Sequence, residues 1–157
     1  MADHRIVGIT LDDRTVIRRS PEVEHEMNVA VYDILERNSF EPVGDFAGPY
    51  QVRLSIEERR RLIFEVADDG NGGQGRVMLQ LVPFRRIVRD YFQICESYYD
   101  AIKRLSPSQI ETIDMARRSI HDEGSTILAE RLDGKITLDE ETARRLFTLI
   151  CVLHIRA

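Results

Sequence analysis

Three stretches with period-two alternation stand consecutively in the chain, and helical patterns fill everything after them. Tyr50, Val52, Leu54 and Ile56 alternate with Gln51, Arg53 and Ser55. Leu62, Phe64 and Val66 repeat the pattern after a turn at Glu57–Arg61, and Val77, Leu79 and Leu81 repeat it after the loop Asp68–Gly75. Alternation of this kind gives a strand with one apolar and one wet face, and short polar connections make the three strands an antiparallel meander. A run of strands followed by a run of helices is the signature of an α+β fold.

The remaining elements follow from caps and spacing. His4–Leu11 is rich in β-branched residues and reads as a first strand, ended by a turn at Asp12-Asp13-Arg14. Ser20-Pro21-Glu22 supplies a serine cap, proline at the first helical position and an early acid. That helix buries Val23, Met27, Ala30, Val31, Ile34 and Leu35 and ends near Asn38, with an irregular segment over 40–49. Pro83 opens a second helix with a broad apolar stripe from Phe84 to Ile102. Ser106-Pro107-Ser108-Gln109 is a capping box for the third, which carries Ile110, Ile113, Ala116, Ile120, Ile127, Leu128 and Leu132 inward. Gly134 closes it, and Gly124 within it marks a kink or a close helix approach. Thr137-Leu138-Asp139-Glu140 reads as the capping box of the last helix.

The expected order is therefore β-α-β-β-β-α-α-α. A small, mostly antiparallel sheet is covered on one face by a C-terminal helical layer, in one α+β domain spanning residues 1–157. The first strand joins the meander through the helix crossover, beside a neighbour that the pattern leaves open. Leu146–Ile155 (LFTLICVLHI) is apolar nearly all round, so the last helix is buried on several sides, either within the domain or against a second subunit.

Composition narrows function more than it names it. Hydrophobic residues make up 43% and charged residues 31% of 157, which is globular rather than disordered. A net charge of -5 argues against binding nucleic acid, and no apolar run reaches the ~20 residues that span a bilayer. The N-terminal MADHRIVGITLDD has no signal-peptide core, which points to the cytoplasm, where Cys95 and Cys151 stay reduced in the core.

Motifs that resemble chemistry mostly dissolve in context. Gly70–Gly75 fits G-x-G-x-x-G, but a strand follows where a phosphate site needs a helix start. Glu22 and His25 form one E-x-x-H pair where a di-iron bundle needs two. No metal and no cofactor are expected. Cys95 has no neighbouring base to make it a nucleophile, and no catalytic set emerges.

Arg85, Arg86 and Arg89 are the exception. They crowd the positive end of a helix macrodipole, where each cation costs about 0.3–1 kcal/mol if exposed. Arg85 and Arg89 also repel each other at i,i+4. Compensation comes either from carboxylates such as Asp90, Asp122 and Glu123 or from an anionic ligand. On the third helix Arg117 and His121 share a face, and Arg118 faces Asp122. An antiparallel helix pair brings this set toward the first, giving Arg85, Arg89, Arg117 and His121 as the candidate anion site. Glu96, Tyr98 and Tyr99 flank the same helix as candidate pocket lining.

The chain resembles an uncharacterised protein family found chiefly in alphaproteobacteria. The matching segments are Gly48-Pro49-Tyr50, Pro83–Arg86 (PFRR), Ile94–Tyr99 (ICESYY), Pro107–Glu111 (PSQIE) and Ala143–His154 (ARRLFTLICVLH). The resemblance implies a bacterial cytoplasmic protein and supplies no activity. The expected function is a non-enzymatic interaction or regulatory module that binds a protein partner or forms a homo-oligomer, dimerising through the last helix. The alternative is a binding protein or enzyme for a small anionic ligand, phosphorylated molecules included.

Overall fold

A computed structural model describes residues 2–12, 20–70 and 72–154. The elements in chain order are β1 (Ile6–Leu11), α1 (Pro21–Glu36), β2 (Phe40–Pro42), β3 (Tyr50–Glu57), β4 (Arg61–Asp68) and β5 (Gln74–Gln80), then α2 (Val82–Arg104), α3 (Pro107–Leu132), β6 (Ile136–Leu138) and α4 (Glu140–His154). The α+β order holds, with two short strands added. The turn expected at Asp12-Asp13-Arg14 falls largely outside the described residues.

The main sheet runs β1-β3-β4-β5. β3, β4 and β5 form the antiparallel meander, while β1 lies parallel to β3, which makes the sheet mixed and answers which strand neighbours the first. Asn38 ties the crossover down. Its side chain accepts from the Ile6 amide at 2.7 Å and donates to the carbonyls of Ile6 and Ile34 at 2.9 and 2.7 Å. This joins β1 to the end of α1, which stops at Glu36 rather than running on to Asn38.

β2 pairs antiparallel with β6, the one pairing without a sequence signal. It also moves the last helix start. Thr137 sits in β6, and Asp139 is the residue that caps α4, its Oδ1 accepting from Thr142 N at 3.0 Å. The expected capping box at Thr137 is thus corrected. The cap at Ser20 and the capping box at Ser106 stand where the spacing put them: Ser20 Oγ accepts from Val23 N, and Ser106 and Gln109 bond reciprocally.

α4 is the core element. Ala143, Leu146, Phe147, Leu149, Ile150, Cys151, Val152 and Leu153 are all buried, against α1, α3 and β3. Each fully buried Leu, Ile or Phe contributes about 1.5–3 kcal/mol, so this helix dominates the packing. Its apolar circumference is spent inside the chain, and the expectation of dimerisation through the last helix loses its basis. Gly124 lets α3 approach α4: a Cβ there would stand 2.1 Å from Phe147 Cζ. Gly134, at φ +81°, turns the chain from α3 into β6.

α2 and α3 form a long antiparallel hairpin; α2 is buried as far as Ala101, whereas on α3 only the inner half meets the core. Gly124, Ser125, Leu128 and Leu132 are buried on α3, whereas no residue from Pro107 to Ser119 is. Ile102, expected on the buried stripe of α2, is 52% exposed, and Leu35 on α1 is 40% exposed.

Candidate functional site

The arginines divide into two groups that the sequence had joined. The first occupies a cleft of about 410 Å³ between α1, α3 and α4, with Tyr91 of α2 in its wall. Arg117 bonds Asp114 at 2.6 Å, lies 3.8 Å from Glu26 and sits 4.7 Å over the Tyr98 ring. Arg118 also pairs with Asp114, at 3.0 Å, and not with Asp122. Asp122 instead takes Arg144 at 2.8 Å, while Arg145 reaches Asp33 and Glu141. Guanidinium groups so occupied have little capacity left for a ligand.

His121 lies among these cations, hydrogen-bonded through Nε2 to Thr148 Oγ1 at 2.8 Å and edge-on to Tyr91 and Phe147. Burial, with Arg144 next, pushes its pKa down to about 4. It is a neutral imidazole at pH 7, part of the wall rather than a cationic anchor.

The second group lies elsewhere. Arg59, Arg85, Arg89 and His154 line a recess of about 460 Å³ that shares no residue with the cleft. Arg117 and His121 therefore do not join Arg85 and Arg89, which corrects the four-residue site expected from the sequence. The antiparallel hairpin sets His121 against Tyr91 and Arg117 against Tyr98, on turns of α2 beyond Arg85 and Arg89. The recess instead draws on the β3–β4 turn and on the end of α4.

Each wall of the recess has a local cause. In the turn, Glu58 and Arg59 both adopt positive φ, 53° and 58°, closing the hairpin without glycine. Arg85 Nη2 donates to the Arg59 carbonyl at 2.7 Å, which pins the turn to the start of α2. That helix start has no acid in its first turn and no side-chain cap, unlike α1 and α4. Arg86 points to Asp90, 3.8 Å away, and takes no part. His154 ends the described part of α4. Its Nε2 is buried without a hydrogen-bond partner among the described residues, and burial lowers its pKa.

The candidate pocket residues also separate. Glu96 and Tyr99 line a groove of about 590 Å³ between α1 and α2, with Glu26 and Cys95, whereas Tyr98 packs beneath Arg117. Tyr99 Oη donates to Glu26 at 2.7 Å, and burial, with this bond second, raises its pKa. Burial pushes the Cys95 thiol up to about 11, so it is protonated at neutral pH. Cys151 is likewise a free, buried thiol. At the far end of the sheet, Tyr50 Oη donates to the Phe46 carbonyl at 2.7 Å and meets His4 Nδ1 at 2.8 Å. Burial, with Asp68 next, raises Tyr50 to about 12, and the trio latches the chain start to β3. Among the described residues no group of three or more His, Cys, Asp or Glu could hold a metal, and no helix is long and apolar enough to cross a membrane.

These features define an α+β protein with two separate arginine groups, one ion-paired and one without carboxylate partners among the described residues. The chain belongs to the family described as Uncharacterised protein family (UPF0262), whose model matches residues 3–156. Its relatives in alphaproteobacteria include a UPF0262 protein of Rhizobium meliloti, 55% identical over 152 residues, covering 97% of this chain and 95% of the relative. Another, of Ruegeria pomeroyi, is 55% identical over 159 residues with 98% of each chain covered. A third, of Paramagnetospirillum magneticum, is 56% identical over 152 residues, covering 97% and 96%. No solved structure matches. The family description carries no activity.

Proposed function

We propose that this chain is a non-enzymatic interaction module of the bacterial cytoplasm, and that it pairs with a second copy of itself through the outer half of the α2–α3 hairpin. The observation that carries this is the stretch Pro107–Ser119, half of the longest helix, with no buried residue. Around it Ile102, Leu105 and Met115 are 52%, 41% and 59% exposed. Helices gain most of their stability from a packed apolar face, and the outer half of α3 has no residue of such a face buried. A second arm, related by a twofold axis, completes a four-helix bundle. Both charge signs alternate along the arm in Asp100, Arg104, Glu111 and Arg118, which suits a self-complementary contact.

Two further features support the reading. The thiols are held in the core with raised pKa values, which removes them as nucleophiles. Two free cysteines also suit a reducing compartment. Light scattering on the pure protein tests the pairing. The expected result is a dimer that Met115→Glu converts to a folded monomer. A strict monomer at millimolar concentration contradicts it.

A further inference from the structure

The structure assigns a second role to the recess between the β3–β4 turn, the start of α2 and the end of α4: we infer that Arg59, Arg85 and Arg89 bind the phosphate group of a small molecule. Ion pairing provides the contrast. Among the described arginines, only Arg37, Arg59, Arg85, Arg89 and Arg131 lack a carboxylate within 4.0 Å, and three of these surround this one recess. Acids outnumber bases in the chain, with 27 Asp and Glu against 22 Lys and Arg. A shortage of carboxylates is therefore not the reason that these cations stand together unpaired.

The geometry fits a tetrahedral dianion better than a carboxylate partner. The three arginines come from two places in the chain, the β3–β4 turn and α2, and line one recess, where more than one guanidinium group is available to the several oxygens of a phosphate. Arg85 is partly committed to the Arg59 carbonyl, which fixes its direction, whereas Arg89 makes no hydrogen bond or ion pair among the described residues. His154, whose Nε2 is buried without a hydrogen-bond partner among the described residues, completes the lining of the recess. The α2 start, with no acid in its first turn and no side-chain cap, adds the positive end of a helix dipole to the field of these arginines. A volume of about 460 Å³ leaves room for a small group attached to the phosphate.

Thermal unfolding of the full chain tests the assignment, with inorganic phosphate, glycerol phosphate and sodium chloride compared at equal ionic strength. Both phosphates are expected to raise Tm by about 3 °C over chloride at tenfold their dissociation constants. At one common concentration of the two phosphates, a larger shift with glycerol phosphate identifies a phosphorylated small molecule as the ligand, and equal shifts identify the phosphate group alone. Arg85→Ala/Arg89→Ala is expected to abolish the shift, while Arg131→Ala keeps it. Should the double variant fail to fold, Arg89→Ala alone serves, and its shift is expected to fall by at least half. No shift over chloride in the natural chain, or a full shift in the arginine variants, overturns the proposal.

Discussion

The two arginine groups have similar composition and opposite electrostatics. In the cleft between α1, α3 and α4, Arg117, Arg118, Arg144 and Arg145 each meet carboxylates from their own or a neighbouring helix. In the recess, Arg59, Arg85 and Arg89 meet none among the described residues. The first arrangement holds helices together. The second leaves positive charge facing a cavity, at a cost to the helix it starts. Arginine-rich sequence is thus no sign of a site by itself; the carboxylates around it decide.

The contrast can be broken first by acid. His121 has its folded pKa near 4, below the unfolded value of about 6.5, so the folded state prefers the neutral ring. Its contribution is complete above pH 6.5 and is lost as pH falls toward 4. Denaturant unfolding should show about 2–3 kcal/mol less stability at pH 4.5 than at pH 7.5 from this group. His121→Gln is expected to flatten that part of the profile. An unchanged profile would show that the cleft cations do not enclose a neutral imidazole.

Next in size is Arg117→Ala. It strips Asp114 and Glu26 of a partner and removes a cation from the Tyr98 face, which should cost about 2 kcal/mol. Lysine at this position is expected to recover only part, because it cannot keep both guanidinium bonds to Asp114. The smallest effect belongs to the recess. Arg89→Ala, which breaks no hydrogen bond or ion pair among the described residues, should change stability by no more than about 0.5 kcal/mol, and toward stabilisation at low salt, since it relieves like-charge repulsion at a positive helix end. A loss as large as that of Arg117→Ala would make the recess arginines structural and erase the distinction.

α3 and α4 teach a parallel lesson about faces. Both sequences carried regular apolar spacing, and periodicity located both helices. The apolar circumference of α4 was legible as multi-sided burial, but the sequence left open whether the chain or a partner supplied it; α1, α3 and β3 do. On α3 the spacing suggested burial throughout, yet the outer half extends past the core, and Ile110 and Ile113 are only half-buried. Spacing reports which face would be buried, and the lengths of neighbouring elements decide whether anything reaches it.

The meander and the caps at Ser20 and Ser106 were legible because alternation and capping are local. The β2–β6 pair was not. Each strand has three residues, one of them Pro42, and the partners stand almost a hundred residues apart. The site was half legible. Arg85 and Arg89 announced themselves by violating the dipole rule, a signal carried within one helix turn. Arg59 and His154 carried no such signal, because a turn arginine and a helix-terminal histidine are ordinary where they stand. Only the packing of the β3–β4 turn and α4 against the start of α2 brings them to the recess. Arg117 and His121 were drawn in by assuming that antiparallel helices match in height, and the rings of Tyr91 and Tyr98 show where those residues come to rest.

The most direct measurement is a phosphate titration followed by NMR of the arginine Nε–Hε groups in the full chain at neutral pH. Saturable shifts at Arg59, Arg85 and Arg89, with Arg117, Arg118 and Arg144 unmoved, are the predicted result. Shifts led by the cleft arginines, or none distinguishable from those in chloride at equal ionic strength, would contradict the division between the two groups.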